Sequence, residues 1–222
     1  MLDDPAGAVA ERLAAAAQAG LHIALTGGST PAAAYERAAA LGADWSASNL
    51  WWGDERCVPP THEDSNYGLA RRTLLEGISG PQPTVHRMEG ERGPEAGAAA
   101  YERELTGAFA GESARLDLVL LGLGSDAHCA SLFPGAPALE ERERAVVGVE
   151  QPGLAPWVSR ITLTLPALAA AGELLFMVTG ADKAPALARA FDGEPSPEAP
   201  ASLARAHARA VTLVLDRAAA GG

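Results

Sequence analysis

One of the five histidines, His128, lies in a glycine-rich loop that directly follows an apolar run. The run Leu118–Leu121 leads into Gly122, and Asp126 stands two residues before the histidine. A histidine in a loop of glycines and small polar residues is poorly explained as a packed core residue. An imidazole exchanges protons near neutral pH, which is the property of a general base. We therefore predict that His128 is a catalytic base and that Asp126 orients its ring.

A second glycine-rich segment, Thr26–Pro31, follows the apolar run His22–Leu25. Glycines in such a turn let backbone N–H groups approach an anion, and the next helix adds the positive end of its dipole. The segment therefore predicts a phosphate site, although an ordinary strand-to-helix turn has the same appearance. The candidate phosphate-binding residues here are Gly27, Gly28, Ser29 and Thr30.

Two cations are candidates to complete this phosphate site. Lys183 is the single lysine among 17 lysines and arginines, and it closely follows an apolar run that ends at Thr179. Arg160 stands directly before another apolar run. Arginine offers a planar fork to a phosphate and lysine a compact point charge, so the two together can neutralise a dianion. The alternative for Lys183 is a position on a solvated surface.

A third polar cluster, Asp-Glu-Arg at 54–56, follows an apolar run and Gly53. Charges of both signs at the end of a strand can bind sugar hydroxyls and polarise a carbonyl, so Asp54 and Arg56 are catalytic candidates. The alternative is a surface cluster in which Asp64 or Ser65 merely caps the next helix.

The elements that position these segments alternate between strand and helix. Apolar runs predict strands at 22–25, 50–52, 84–86, 118–121, 161–165, 174–179 and 211–215. Helical patterns cover 8–19, 32–41, 65–76, 95–110 and 183–190, with Thr30 as the cap of the second helix, and 193–200 reads as a loop. The order predicts one Rossmann-like α/β domain over 1–222, an open, mostly parallel sheet with helices on both faces. Ligands of such sheets bind at the carboxyl ends of the strands.

Composition excludes several classes of protein. The chain has 222 residues and a net charge of −11, which argues against a nucleic-acid partner. The most apolar stretch, 161–178, is interrupted by proline, glycine and glutamate, so no membrane span is expected. The acidic N-terminus and two cysteines favour a reducing, cytoplasmic location. His62–Asp64 lacks the spacing of a zinc motif, and we predict neither a metal ion nor a cofactor. We expect a monomer or a weak homo-oligomer.

The ordered motifs resemble those of the 6-phosphogluconolactonases, within the glucosamine-6-phosphate isomerase/6-phosphogluconolactonase family. The resemblance runs from about 23 to 216. The matching segments are Gly27–Pro31, Asp54–Arg56, Ser65–Tyr67, Gly122–Gly135, Ser159–Leu163 and Thr179–Ala184.

This resemblance implies the hydrolysis of 6-phospho-D-glucono-1,5-lactone in the pentose phosphate pathway. The phosphate would dock on Gly28–Thr30, Arg160 and Lys183, while His128 activates a water and Arg56 or loop N–H groups stabilise the oxyanion. A nucleophilic Ser131 is an alternative, but no nucleophile-elbow pattern surrounds it.

Two differences from related sequences bear on this interpretation. The family usually has glycine where this chain has Ala127, so a left-handed turn there would be strained by about 1 kcal/mol. The related deaminases follow the histidine with Asn-Glu-Pro, whereas this chain has Phe133 in place of the glutamate. A non-catalytic sugar-phosphate sensor of the same fold is the other alternative. Such sensors carry a DNA-binding module, and no basic N-terminal helix-turn-helix is predicted here.

Overall fold

Six strands pair in parallel to form the main sheet of the computed structural model, which describes residues 1–109 and 115–221. They are β1 (His22–Leu25), β2 (Asn49–Trp52), β4 (Thr84–Val85), β5 (Leu118–Leu121), β8 (Glu173–Val178) and β9 (Val211–Leu215). Their order across the sheet is β4-β2-β1-β5-β8-β9. All four residues of β5 are buried, as a central strand covered on both faces requires. The predicted α/β class and mostly parallel sheet are confirmed.

Among the residues that the structure describes, seven α-helices pack around the sheet. They are α1 (Pro5–Gln18), α2 (Ala32–Ala40), α3 (Asn66–Thr73), α4 (Pro94–Ala108), α5 (Leu165–Ala170), α6 (Ala184–Leu187) and α7 (Pro200–His207). Asp4 caps α1 by accepting a hydrogen bond from the Gly7 N–H at 3.1 Å. Ser65 caps α3 in the same way, through a 2.9 Å bond from the Gly68 N–H to Ser65 Oγ. These two helix starts are thus fixed by polar side chains that the sequence places there.

A small antiparallel sheet lies beside the main one, and the sequence did not predict it. It consists of β3 (Asp54–Arg56), β7 (Arg160–Leu163) and β6 (Val146–Val149), in the order β3-β7-β6. Gly53 joins the two sheets, since its N–H donates to Leu25 O in the main sheet and its C=O accepts from the Leu163 N–H in the small one. The prediction that 161–165 belongs to the parallel sheet is therefore wrong, and 54–56 is a strand rather than a loop.

Several predicted boundaries also differ. Helix α2 starts at Ala32 with Pro31 in the cap position, so Thr30 is not its cap. The run at 161–165 ends earlier because Thr164 caps the unpredicted helix α5. Helix α6 begins after Lys183 and continues into a π-helical turn at 188–192, and α7 was not predicted. Ala110, the last residue of the predicted helix 95–110, lies outside the described residues.

Buried side chains of both sheets join one hydrophobic cluster. It includes Trp51 and Trp52 of β2, Leu120 of β5 and Ile161 of β7, all fully buried. The two sheets therefore share one hydrophobic core. Within the part of the chain that the structure describes, no helix is both long and apolar enough to cross a membrane.

Candidate active site

A cleft of about 450 Å³ opens at the carboxyl ends of β1, β5 and β8. The chain leaves β1 for β2 on one side and β5 lies on the other, so this is a switch point of the parallel sheet, where ligands of such folds bind. Nine of the ten predicted site residues line the cleft: Gly27, Gly28, Ser29, Thr30, Asp54, Arg56, His128, Arg160 and Lys183. The tenth, Asp126, contacts His128.

His128 and Asp126 form a hydrogen-bonded pair at the wall of the cleft. Asp126 Oδ1 lies 2.6 Å from His128 Nδ1 and accepts the His128 backbone N–H at 3.1 Å. Burial raises the pKa of the Asp126 carboxyl, but the hydrogen bonds and charge of His128 together act more strongly, and the net shift is downward. An ionised carboxylate only accepts hydrogen bonds, so Nδ1 is the donor to Asp126, and in a neutral imidazole the lone pair is then on Nε2. The pair is therefore arranged for Nε2 to act as the base.

Gly124 leaves the space that this pair occupies. A Cβ at Gly124 would overlap the His128 imidazole and would lie 2.6 Å from Asp126 Oδ1. The Gly124 N–H donates to His128 O, and the Ala127 N–H donates to Gly124 O, each at 2.9 Å. The ring therefore packs directly over a glycine, inside a turn closed by two backbone hydrogen bonds.

The backbone on either side of His128 is strained. Ala127 has φ 67° and Ala130 has φ 50°, both in the left-handed region. This conformation costs a residue with a Cβ about 1–2 kcal/mol, so the strain expected at Ala127 is confirmed. The Ala127 side chain is fully buried, and its carbonyl accepts the Ala201 N–H of α7 at 3.0 Å. Tertiary packing thus holds a turn that glycine would adopt more readily.

The glycine turn after β1 packs against Asn66 and Tyr35 on one side and leaves open space beside Gly28. Gly28 has φ 88°, a conformation that glycine adopts without strain, and a Cβ there would meet nothing within 4 Å. A Cβ at Gly27 would instead overlap the Asn66 amide. Tyr35 OH donates to Thr26 O at 2.7 Å and accepts the Thr26 N–H at 2.9 Å. The turn leads into α2, and the first N–H groups of a helix have no partner within the helix and can bind an anion.

Lys183 enters the cleft from the loop after β8. Its Nζ lies 3.6 Å from Asp182 Oδ2, and the Asp182 side chain is 71% exposed. An exposed pair of this kind contributes about 0–1 kcal/mol, so it does not tie up the ammonium group. Lys183 can therefore turn towards an anion in the cleft.

Arg56 and Arg160 face each other across the small sheet. They are directly paired between β3 and β7. Arg160 is 3% exposed, and its guanidinium donates to Pro156 O at 3.0 Å and to Leu154 O and Val158 O at 3.3 Å. Burial lowers the pKa of Arg160 while the charge of Asp54 raises it, and an arginine stays protonated at neutral pH. The cleft therefore contains a buried cation whose direct partners are neutral.

Asp54, the acidic catalytic candidate of β3, is held by neutral donors. Ser131 Oγ donates to Asp54 Oδ2 at 2.6 Å, and Asn66 Nδ2 donates to Asp54 Oδ1 at 3.1 Å and to Asp54 O at 2.8 Å. Ser131 is fully buried, so it is not placed as a nucleophile for His128. Sequence reasoning did not select Asn66 as a site residue. Its position directly after the capping Ser65 was the available signal.

Glu55, between the two catalytic candidates of β3, has a structural role. Its carboxylate accepts the backbone N–H groups of Arg56, Asn66 and Tyr67 at 2.7–2.8 Å, and the Ser65 hydroxyl at 3.0 Å. Burial raises the pKa of Glu55 and these four hydrogen bonds oppose the rise. The carboxylate therefore joins the start of α3 to β3.

Phe133 packs between the base and a cation. Its ring centroid lies 4.5 Å from that of His128, and the Arg160 guanidinium stands 5.7 Å from the same ring.

No group of three or more His, Cys, Asp or Glu side chains suited to a metal ion occurs among residues 1–109 and 115–221.

Comparison with known proteins gives consistent matches along the chain. A family model described as glucosamine-6-phosphate isomerases/6-phosphogluconolactonase matches residues 1–213. A 6-phosphogluconolactonase of Streptomyces coelicolor is 44% identical over 186 residues, which are 80% of this chain and 70% of that protein. The human 6-phosphogluconolactonase is 38% identical over 224 residues, and the match covers 96% of this chain and 85% of that protein. The solved structure of 6-phosphogluconolactonase from Trypanosoma cruzi superposes with a TM-score of 0.83 at 30% identity, covering 99% of this chain and 92% of that one.

Proposed function

Because the chain belongs to the glucosamine-6-phosphate isomerase/6-phosphogluconolactonase family, we propose that it hydrolyses 6-phospho-D-glucono-1,5-lactone to 6-phospho-D-gluconate. This is a lactonase step of the pentose phosphate pathway. The observation that carries the proposal is one cleft that holds an Asp126–His128 pair together with Arg160, Lys183 and the glycine turn. A base and a dianion site in one cleft suit an ester that carries a phosphate.

The phosphate is the anchor of the substrate in this proposal. Its oxygens accept hydrogen bonds from the Gly28–Thr30 turn, and Arg160 and Lys183 neutralise its charge. The lactone ring then extends towards His128. Holding the substrate at its phosphate converts hydrolysis into a reaction between groups that are already oriented.

His128 Nε2 takes a proton from a water molecule while the water oxygen forms a bond to lactone C1. The carbonyl oxygen becomes an oxyanion, which Arg56 or the loop N–H groups near Gly124 stabilise. The intermediate collapses when the bond between C1 and the ring oxygen breaks, and the imidazolium returns its proton to that oxygen. The ionised Asp126 stabilises the imidazolium that exists between the two proton transfers.

Phe133 separates this reaction from the deamination catalysed elsewhere in the family. A ring opening and isomerisation of an amino sugar needs additional acid and base groups near the substrate. The position beside His128 is occupied by a buried aromatic ring, which can neither donate nor accept a proton. The lactonase therefore remains the better-supported activity.

The proposal is tested by adding the purified protein to freshly generated lactone and measuring acid release against the spontaneous rate. Replacing His128 with alanine should lower kcat by about 10²- to 10⁴-fold, because it removes the acid-base group. The matched control is His207→Ala, a substitution of an exposed histidine at the end of α7. Wild-type turnover in His128→Ala would refute the role of the base. Ammonia release from glucosamine 6-phosphate without lactone hydrolysis would favour the deaminase.

We also propose a cytoplasmic location and a monomeric or weakly associating state. The two cysteines support the location, since Cys57 and Cys129 are both free thiols. Burial raises the pKa of Cys129 to about 12 and also raises that of Cys57, so both are protonated and unreactive at neutral pH.

A further inference from the structure

The small sheet places two like charges directly opposite each other. Arg56 and Arg160 are cross-strand partners, and like charges in this arrangement repel. Among the described residues, no carboxylate is within ion-pairing distance of either guanidinium. Arg56 Nη1 donates to the Asp64 carbonyl at 2.6 Å, and its buried Nε has no partner in the described part of the chain. In the described part of the chain, neither guanidinium is therefore neutralised by a direct ion pair.

A suitable internal counter-ion lies within reach. Asp54 is two residues from Arg56 on β3, so it is on the same face of the sheet, and it pairs with Thr162, two residues from Arg160. Diagonal neighbours of this kind are about 7–8 Å apart between Cα atoms, a distance that an arginine side chain spans. Asp54 is 5% exposed and lines the same cleft. An ion pair between Asp54 and an arginine would be expected, but it does not form.

We propose that Ser131 and Asn66 are positioning residues that hold the Asp54 carboxylate away from Arg56 and Arg160, so that both cations stay available to the anionic groups of the ligand. Each carboxylate oxygen already accepts a hydrogen bond from one of these two neutral side chains. The inference rests on the proposed function, because the ligand is taken to be a phosphate ester.

The loop carbonyls that accept hydrogen bonds from Arg160 also keep its charge available to a ligand. Carbonyl groups satisfy the N–H donors of a guanidinium without cancelling its charge, whereas a carboxylate would do both. Ser131 also acts from a distant part of the chain, since it belongs to the loop that carries His128 and its backbone N–H donates to Thr162 Oγ1 at 3.1 Å. One residue thus links the base-bearing loop to the sheet that carries the charges.

The test measures the affinity for inorganic phosphate and for 6-phosphogluconate by calorimetry. Ser131→Ala removes the donor to Asp54 Oδ2 and keeps the backbone N–H, so Asp54 is free to pair with Arg160. We expect both anions to bind about tenfold more weakly, the effect of losing roughly one charge-assisted hydrogen bond. Ser48→Ala is the matched control, because Ser48 is equally buried and donates to the Trp45 carbonyl at the amino end of β2.

The decisive comparison repeats the substitution in the Asp54→Asn background. An asparagine cannot neutralise an arginine, so Ser131→Ala should no longer weaken phosphate binding there, and Asp54→Asn alone should bind phosphate at least as well as the wild type. An equal tenfold loss in both backgrounds, or no loss in either, would overturn the inference. Should Ser131→Ala fail to fold, Ser131→Cys replaces it, since a thiol fills the site but donates weakly.

The outcome is separable from the proposed function. Lactone hydrolysis by the wild type tests the function alone. Hydrolysis with phosphate binding unaffected by Ser131→Ala rejects only the positioning role. The predicted pattern of phosphate binding in a protein that does not hydrolyse the lactone rejects only the function.

Discussion

Replacing Gly124 with alanine should displace the His128 ring from Asp126 and leave the rest of the fold intact. The new Cβ would overlap the His128 ring and approach Asp126 Oδ1 to 2.6 Å, well inside van der Waals contact. Gly124 has no left-handed φ, so the backbone itself accepts alanine. The conflict is therefore with the two side chains, and the ring must leave the position in which Asp126 orients it.

The size of the effect follows from what the ring contributes. An acid-base group in place is worth about 10²- to 10⁴-fold in rate, and a displaced ring keeps part of that, so we expect kcat to fall at least about tenfold. Overpacking costs about 1–3 kcal/mol of stability. Product affinity should change little, because the glycine turn, Arg160 and Lys183 are on other loops of the cleft.

The assay is initial-rate hydrolysis of the lactone, with 6-phosphogluconate affinity and a urea denaturation curve measured on the same samples. Gly122→Ala is the matched control, because it lies in the same loop and lines the same cleft, and its Cβ would meet nothing within 4 Å. If Gly124→Ala keeps a kcat within a few-fold of Gly122→Ala, the ring does not act from the observed position and the mechanism fails.

Two further predictions concern stability. Tyr35→Phe leaves the Thr26 N–H and C=O without their partner, which should cost about 1–3 kcal/mol in urea denaturation; an unchanged midpoint would contradict this. Hydrogen bonds from the N–H groups of Glu143 and Arg144 and from the Arg144 side chain lower the pKa of Glu141 to about 2 from 4.5. Its stabilising contribution is thus complete above pH 4.5 and is lost as the pH falls towards 2, so Glu141→Gln should be less stable than the wild type at pH 7 and the difference should shrink over that interval. A difference that does not depend on pH would refute the assignment.

The parallel sheet was predictable because each of its strands carries its own signal. Continuous apolar runs such as Leu118–Leu121 identify buried strands locally, and the polar residues after them then share one edge. This is why residues as distant as Gly28, His128 and Lys183 could be assigned to one site from the order of the motifs along the chain. Their placement around one cleft follows from the topology.

The small sheet was not predictable in the same way. Asp54–Arg56 is three residues long and charged, so neither length nor alternation of polarity indicates a strand. Its partner β7 is about a hundred residues away, and a single sequence contains no signal for that pairing. The hydrogen bond from Ser131 to Asp54 spans 77 positions and was missed for the same reason.

The small antiparallel sheet also determines how the charged side chains of Asp54, Arg56 and Arg160 are arranged. As a loop cluster, Asp54 and Arg56 would neutralise each other locally and leave little for a ligand. As alternate residues of a strand opposite Arg160, they point to one face and stay apart, because Ser131 and Asn66 occupy the carboxylate. Unneutralised arginines are unfavourable for the empty protein, and an anionic ligand removes that penalty. A site whose charges are held in place before binding loses less free energy to reorganisation when the substrate arrives, which is the condition for electrostatic stabilisation of an oxyanion.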